Sequence, residues 1–336
     1  MSDPLPSTTQ LIVANGPSPG VVSGSRWFGA AMCALSAAGY SGLPILAKLA
    51  FAAGLSIAGV LSVRFGGASI IILGYLVLRR RTPLYPGGRA GRALLGLGLL
   101  YGVQATLFFA GLQRIPASMS SVLLYIYPAL VSLLAWRVHR SRPRLEELGA
   151  VGLGLAGIVL TIRPWGPPGL GGGAGLDLIG AALVVAAAVC YSVYIMVSGT
   201  IVRQIGPLVS TGWITAGATG YFLVVGAATH SLAIQLPPFG GWILAGMVVF
   251  NTILPLLAFL AGLVRVGPTA ASLISTLEPV FTVLLAAIFL GERLGGLEAV
   301  GGLMVLSAAI LVNLPPVRLG RQSEATGFGP KADHGM

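Results

Sequence analysis

Residues 204–264 read QIGPLVSTGWITAGATGYFLVVGAATHSLAIQLPPFGGWILAGMVVFNTILPLLAFLAGLV and contain no Asp, Glu, Lys or Arg. A soluble protein has about 25% charged residues because its surface faces water. The whole chain of 336 residues has 9% charged and 55% hydrophobic residues, which is too little charge to cover a soluble body of this size. The composition therefore predicts a polytopic membrane protein and excludes a soluble enzyme of one or two domains.

The apolar runs are long and continuous, and they do not alternate every second residue. This pattern favours transmembrane helices over a β-barrel, because barrel strands alternate apolar and polar side chains. A helix needs about 20 mostly apolar residues to cross a bilayer. Ten such runs follow one another along the chain, at residues 27–49, 57–78, 93–112, 117–136, 146–162, 177–198, 208–229, 241–263, 269–290 and 297–314.

The charge distribution predicts the orientation. The net charge is +11, but the basic residues are clustered in short loops between apolar runs, so nucleic acid is not predicted as a partner. Most of the 20 Lys and Arg residues, above all those in the loops 79–92 and 137–144, fall on one side if the N-terminus is cytoplasmic. We therefore expect a cytoplasmic (inner) membrane protein with both termini in the cytoplasm. Residues 1–26 and 315–336 are predicted to be flexible tails.

The two halves of the chain are similar to each other. A shift of 151 residues places Arg114 on Arg265 and Pro128 on Pro279, and it aligns the surrounding apolar segments in the same way. Each half, 27–163 and 177–314, contains five predicted helices, and a Pro/Gly-rich linker, 164–176, joins them. Because five is odd, the second half must enter the membrane from the opposite side. The fold class predicted is therefore an all-α membrane protein of ten helices in two inverted five-helix repeats, an architecture common among secondary transporters.

Ten helices in two repeats, with a proline inside the fourth helix of each, resemble the drug/metabolite transporter superfamily and its EamA branch. The most similar stretch runs from Pro268 through Glu278-Pro279 to Gly291-Glu292-Arg293 and Gly301-Gly302. The resemblance implies a permease of the cytoplasmic membrane that exports amino acids or related metabolites without ATP. One departure is that the first half has Arg140-Ser141 where the second half has Glu292.

Glu278 is the one acidic residue well inside a predicted helix, where an ionisable group is costly to retain. Ser275 and Thr282 lie on the same helical face. Pro279 removes a backbone donor and should loosen the preceding turn, as should Pro128 in the other half. We expect Glu278 to bind a proton or a substrate ammonium. The alternative is a buried, protonated carboxyl that only bonds a neighbouring helix.

Tyrosines recur at equivalent positions of the two halves. Tyr40 and Tyr191 lie on the first helix of each half, and Tyr194 follows one turn later. Tyr127 stands where Glu278 stands in the other repeat, with Tyr125 close by. These side chains offer aromatic faces to cations and hydroxyls to polar groups, so we expect them to line a central cavity. Packing between helices is the alternative.

Further polar residues and prolines lie inside or near the ends of the predicted helices. Asn251, Gln104, Tyr101 and Pro255 are read as binding residues or as interhelical packing residues. Lys48 and Arg64 are gating candidates, together with Pro128 and Pro279, although snorkelling to the headgroups is the favoured explanation of both basic residues. The charged loop residues Glu292-Arg293 and Glu146-Glu147 are interpreted as solvated pairs.

The predicted function is secondary active transport of a small metabolite by alternating access, with amino-acid export favoured and proton coupling as a hypothesis. An uncoupled exchanger or an uptake permease is the rival within this class. The cavity is expected between the first, third, fourth, sixth, eighth and ninth helices. A membrane-embedded enzyme would need clustered His, Asp or Glu, but the three histidines are far apart. No cofactor and no metal site are predicted, and the expected partners are a small-molecule substrate, the lipid bilayer and protons.

Overall fold

The computed structural model describes residues 23–79, 86–139, 145–162, 177–231, 240–292 and 295–311, and these ranges contain helices and short connections without a β-strand. The predicted linker and nearly all of both predicted tails lie outside the described residues. The helices are α1 Ser23–Ser41, α2 Leu43–Ala52, α3 Ile57–Arg79, α4 Gly88–Arg114, α5 Ala117–Leu124, α6 Tyr127–His139, α7 Leu145–Ile162, α8 Leu178–Ile205, α9 Pro207–Ala228, α10 Gly240–Val248, a π-helical segment Val249–Ile253, α11 Leu254–Val266, α12 Pro268–Ile274, α13 Leu277–Leu290 and α14 Gly296–Leu311.

Eight helical segments are long and apolar enough to cross a membrane. They are Arg26–Ala52, Ile57–Arg79, Gly88–Arg114, Ala117–Val138, Leu178–Ile205, Pro207–Ala228, Gly240–Val266 and Pro268–Leu290. The shorter apolar helices α7 and α14 pack against each other and complete the ten predicted passes. Large apolar side chains such as Ile70, Trp242 and Ile288 are exposed on the outside, as expected where lipid replaces water.

Two passes that the sequence predicted as single helices are broken. The fourth is divided into α5 and α6 around Tyr125, and the ninth into α12 and α13 around Ser275. Near each break, a backbone hydrogen bond spans three residues instead of the four of an α-helix. The Tyr125 N–H donates to the Val122 carbonyl at 3.1 Å, and the Thr276 N–H donates to the Leu273 carbonyl at 3.0 Å. The cause is the nearby Pro128 or Pro279, which lacks an N–H for the preceding turn.

The same rule explains two interruptions that were not predicted. The first pass is divided at Gly42, two residues before Pro44. The eighth pass contains the π-helical segment Val249–Ile253, directly before the turn that holds Pro255. All four interruptions lie along passes that come together in the interior of the molecule, and π-helical segments are common at functional sites.

The two halves pack against each other through equivalent pairs of helices. Helix α4 packs along α8, and its equivalent α11 packs along α1. Arg114, at the end of α4, forms an ion pair of 2.6 Å with Asp177 at the start of α8. Its equivalent Arg265, at the end of α11, lies 5.2 Å from the ring of Phe28 near the start of α1. The two equivalent arginines thus meet the first helix of the opposite repeat at its N-terminal end.

Glu292 is not the solvated loop residue that was predicted. Its carboxylate accepts hydrogen bonds from the N–H groups of Ala117 and Ser118, both at 2.9 Å, and from the Ser118 hydroxyl at 2.8 Å. The carboxylate therefore caps the first turn of α5 in the other repeat, where unpaired N–H groups favour an anion. The side chains of its predicted partner Arg293 and of Glu146 and Glu147 lie outside the described residues.

Candidate functional site

A cavity of about 50 Å³ lies between passes of both halves. Its walls are mostly aromatic and apolar, with one basic and one acidic side chain. The lining residues are Tyr40, Leu43, Pro44, Arg64, Tyr101, Gln104, Ala105, Phe108, Phe109, Leu124, Tyr127, Tyr191 and Glu278. The second pass contributes Arg64, whereas the eighth pass, which was predicted to line the cavity, has no residue in this wall.

Five tyrosines contact one another along the cavity, and Tyr125 joins them with its ring centroid 5.1 Å from that of Tyr127. The rings of Tyr101 and Tyr194 stack with centroids 4.9 Å apart, and the ring of Tyr127 meets that of Tyr191 edge-on at 4.8 Å. The hydroxyls of Tyr40 and Tyr101 lie 3.2 Å apart. Four of these rings line the cavity, and Tyr194 is fully buried behind them. Such a wall presents π faces that attract cations and that stack on planar groups.

Glu278 lies in the first turn of α13, where the ninth pass resumes after its break. Its carboxyl faces the Tyr125 hydroxyl, with Oε2 at 2.8 Å. The same hydroxyl also bonds the backbone carbonyl of Ser275, at the break itself. A phenol has one proton to donate, so the two acceptors compete for it unless Glu278 carries a proton of its own.

The two hydroxyl residues on the face of Glu278 do not bond its carboxyl. The Ser275 hydroxyl donates to the Ala271 carbonyl at 3.0 Å, and the Ser275 backbone oxygen accepts from the Tyr125 hydroxyl. The Thr282 hydroxyl donates to the Ser41 carbonyl at 3.0 Å, next to the interruption of the first pass. Both hydroxyls donate to backbone oxygens instead.

Arg64 does not snorkel to a headgroup. Its side chain is 2% exposed, and its Nε donates to the Thr252 hydroxyl at 2.7 Å while Nη2 donates to the Asn251 carbonyl at 2.9 Å. The π-helical segment provides both acceptors, and the Asn251 carbonyl is free to accept because Pro255, four residues later, has no N–H to donate to it. The Asn251 amide in turn donates to the Gly39 carbonyl at 2.5 Å. Arg64 is thus a cavity residue, and Asn251 supports it from behind.

The remaining predicted candidates differ in where they lie and what they contact. The Lys48 ammonium donates to the Ile115 carbonyl at 2.9 Å, which ties the end of α2 to the end of α4 instead of reaching a headgroup. Gln104 lines the cavity and is 7% exposed. Pro128 and Pro279 lie beside the two helix breaks. Within the described ranges, no three His, Cys, Asp or Glu side chains come together as a metal site.

Sequence reasoning missed part of the lining. Leu43, Phe108, Phe109 and Leu124 are apolar residues in a chain rich in them, so nothing in their pattern distinguished them from packing or lipid-facing residues. Arg64 did have a signal, since it is a charged residue inside an apolar run, but its neighbour Thr252 had none. Only the fold shows that the second pass turns this charge inward.

The cavity lining contains one basic and one acidic side chain, and these two do not form an ion pair with each other. Arg64 and Glu278 both line the cavity, yet the ion pair found among the described residues is that of Arg114 with Asp177, outside the cavity. A small solute with a positive and a negative group could bridge the two side chains, while the aromatic wall covers its apolar part.

Comparison with known proteins agrees with this architecture. The model of the EamA-like transporter family matches residues 27–163 and 178–314. The chain is 29% identical to the uncharacterized transporter YcbK of Bacillus subtilis (strain 168), over 66% of this chain and 72% of that protein. It is 27% identical to the uncharacterized inner membrane transporter YedA of Escherichia coli (strain K12), over 75% of this chain and 80% of that protein.

One solved crystal structure superposes with a TM-score of 0.59 at 19% sequence identity, covering 87% of this chain and 96% of the other. At this identity the likeness concerns the fold alone. The two matched repeats cover most of the chain, and the relatives are named transporters, which sets aside the membrane-embedded enzyme. The chain belongs to the EamA-like transporter family.

Proposed function

We propose that this transporter is a secondary active exporter of a small metabolite, foremost an amino acid or a related compound, and that it couples export to protons through Glu278. The observation that carries the proposal is the Glu278 carboxyl, which lines the central cavity and shares the Tyr125 hydroxyl with a backbone oxygen at a helix break. Amino acids and the outward direction follow from the family resemblance.

The coupling step depends on where the Tyr125 proton points. When Glu278 is protonated, it donates to the Tyr125 oxygen, and Tyr125 donates to the Ser275 carbonyl. When Glu278 loses its proton, the carboxylate is the stronger acceptor and draws the Tyr125 proton away from the break. The Ser275 carbonyl then loses its partner from the other repeat. Protonation thereby changes the link between the fourth and ninth passes, the two broken ones.

We place the protein in the cytoplasmic membrane with both termini in the cytoplasm and with inverted repeats. Two contacts support the inversion. The end of α4 contacts the end of the first pass, where Lys48 of α2 donates to Ile115. Its equivalent α11 ends instead at the start of the first pass, where Arg265 lies beside Phe28 of α1. Equivalent helix ends therefore meet opposite ends of the same pass. Alternating access would then be a rocking of one repeat against the other around the shared cavity.

Transport by the purified protein in liposomes tests this function. Each radiolabelled L-amino acid is offered to vesicles with and without a pH gradient, and we expect the gradient to drive accumulation of at least one without counter-substrate. Glu278→Gln should lose the response to the gradient and keep counterflow exchange. Glu292→Gln, which changes a carboxyl outside the cavity, should keep the response.

Two outcomes would contradict the proposal. If Glu278→Gln folds and shows the gradient response of the unchanged protein, Glu278 does not carry the coupling proton. If uptake always requires counter-substrate and ignores the gradient, the protein is an uncoupled exchanger.

A further inference from the structure

Arg64 is a buried cation whose hydrogen-bond partners in the protein are neutral. It lies in α3, lines the cavity and is bonded to a hydroxyl and a backbone carbonyl. No carboxylate among the described residues forms an ion pair with it. A charge inside a membrane protein is costly to retain without a counter-charge, and such residues usually mark the path of a substrate or ion.

The two hydrogen bonds hold the guanidinium by one edge. Arginine has five N–H donors in a planar fork. Thr252 accepts from Nε and the Asn251 carbonyl accepts from Nη2, so the Nε–Nη2 edge is used. The two N–H groups of Nη1 and the second of Nη2 have no hydrogen bond to a described residue. They form the end of the fork, which has the spacing that binds the two oxygens of one carboxylate.

The rest of the cavity decides which anion fits. Glu278 lines the cavity as well, and the tyrosine rings of the lining attract cations. Leu43, Phe108 and Leu124 cover the remaining surface with apolar groups. A solute with one carboxylate and one ammonium balances both charged side chains, whereas a doubly charged phosphate would leave excess negative charge in an apolar cavity.

We propose, on the basis of the transport function above, that Arg64 is the specificity-determining residue of the transporter: it binds the substrate carboxylate with the free end of its guanidinium. Thr252 and the Asn251 carbonyl, presented by the π-helical segment, are positioning groups that fix the plane of the fork. The substrate is a zwitterion with an apolar side chain, whose ammonium lies toward Glu278.

Thermal denaturation of the full-length protein in detergent tests this assignment. The probes are L-leucine and L-phenylalanine, their carboxamides, and the amines 3-methylbutylamine and phenethylamine. We expect at least one amino acid to raise the midpoint, and its carboxamide and amine to require about 10- to 100-fold higher concentration, since a hydrogen bond to a charged group is lost. In Arg64→Met the amino acid should lose this advantage over the amine.

A second pair of variants separates positioning from folding. Thr252→Val removes the acceptor of Nε and should weaken amino-acid binding about tenfold, with amine binding unchanged. Thr252→Ser keeps the hydroxyl and should bind both probes as the unchanged protein does. Equal binding of amines by all variants shows that they are folded, whatever happens to the carboxylate preference.

The assignment is overturned if carboxamides bind as well as the acids, if no acid raises the midpoint, or if Arg64→Met retains the preference for the acid. These results are distinct from a failure of the transport proposal. If both the unchanged protein and Arg64→Met transport an amine in response to a proton gradient, the transport proposal holds and the assignment of Arg64 is wrong.

Discussion

Tyr125 joins the two repeats through a single proton. Its hydroxyl lies between the Glu278 carboxyl of the other half and the Ser275 carbonyl at the break of the ninth pass. The ring is 1% exposed, so water has little access to replace either partner. The chemical state of one side chain can therefore change a backbone hydrogen bond at the site where that pass is already interrupted.

We expect Tyr125→Phe to fold but to transport about tenfold more slowly, because a hydrogen bond to a charged group contributes roughly 1.5–3 kcal/mol. The pH dependence of transport should also flatten, since Glu278 no longer competes with the backbone for a proton. Liposome transport over a range of pH measures both effects. Tyr194→Phe is the matched control: its buried hydroxyl has no hydrogen-bond partner among the described residues, so transport should not change. Equal behaviour of the two variants would contradict the switch.

At the scale of single helices, close packing depends on a few glycines. A methyl group added to Gly98 of α4 would lie 2.7 Å from the Gly217 Cα of α9 and would also overlap the Ile214 carbonyl. The same change at Gly96, on the same helix, meets no atom within 4 Å. The crossing of α4 and α9 therefore needs a residue without a side chain at one of these positions only.

We expect Gly98→Ala to lower the free energy of unfolding by about 1–3 kcal/mol through overpacking, or to prevent stable insertion. Gly96→Ala should be neutral or slightly stabilising, because alanine favours the helix. The yield of membrane-inserted protein and the denaturation midpoint in detergent measure the difference. Two variants of equal stability would show that the helices do not cross this closely.

The start of α8 supplies a pH-dependent contact. Asp177 accepts a hydrogen bond from the Gly180 N–H and pairs with Arg114, and both interactions lower the pKa of this exposed carboxyl. A lowered pKa in the folded state means that the stabilisation is present above the pKa of the unfolded chain, near 4, and is lost as the pH falls through the folded value.

We therefore expect Asp177→Asn to be less stable than the unchanged protein at pH 7 and equally stable once the pH falls below the titration of the carboxyl. Asparagine still caps the helix, so this variant isolates the charge. Asp177→Ala removes the cap as well and should be the least stable of the three at every pH. Denaturation midpoints between pH 7 and pH 3 test this order, and a stability gap for Asp177→Asn that does not shrink with pH would refute it.

The prolines show how far elements could be predicted. The loosened turn near Pro279 followed from the missing N–H and is present in the structure. The π-helical segment near Pro255 was not predicted, because a proline can be accommodated by a break, a kink or an inserted residue, and neighbouring helices decide among them. For the same reason, the orientation of Arg64 toward Thr252 depends on a contact 188 residues away along the chain, which no local pattern contains.

At the scale of the whole molecule, the tandem repeat and the all-helical architecture could be predicted because they follow from composition and from a constant shift along the chain. The cavity could be predicted only in part. Its polar residues, such as Glu278 and Tyr191, are unusual inside an apolar run, whereas Phe108 and Phe109 resemble the lipid-facing residues around them. Membrane proteins lose this information generally, since lipid and protein interior select the same side chains.

The inversion of the two repeats is the claim on which the shared cavity and alternating access depend. Ala53, after α2, and Gln204, near the end of α8, are separated by the repeat shift of 151 residues, and both are exposed. Each can be replaced by cysteine in a protein whose own Cys33 and Cys190 are changed to alanine. If the repeats are inverted, these two positions lie on opposite sides of the membrane.

Labelling of intact cells with a membrane-impermeant maleimide decides the question. We expect Ala53→Cys to be labelled from outside, and Gln204→Cys to be labelled only after the membrane is permeabilised. Labelling of both positions from the same side would contradict the inverted arrangement and the transport path built on it.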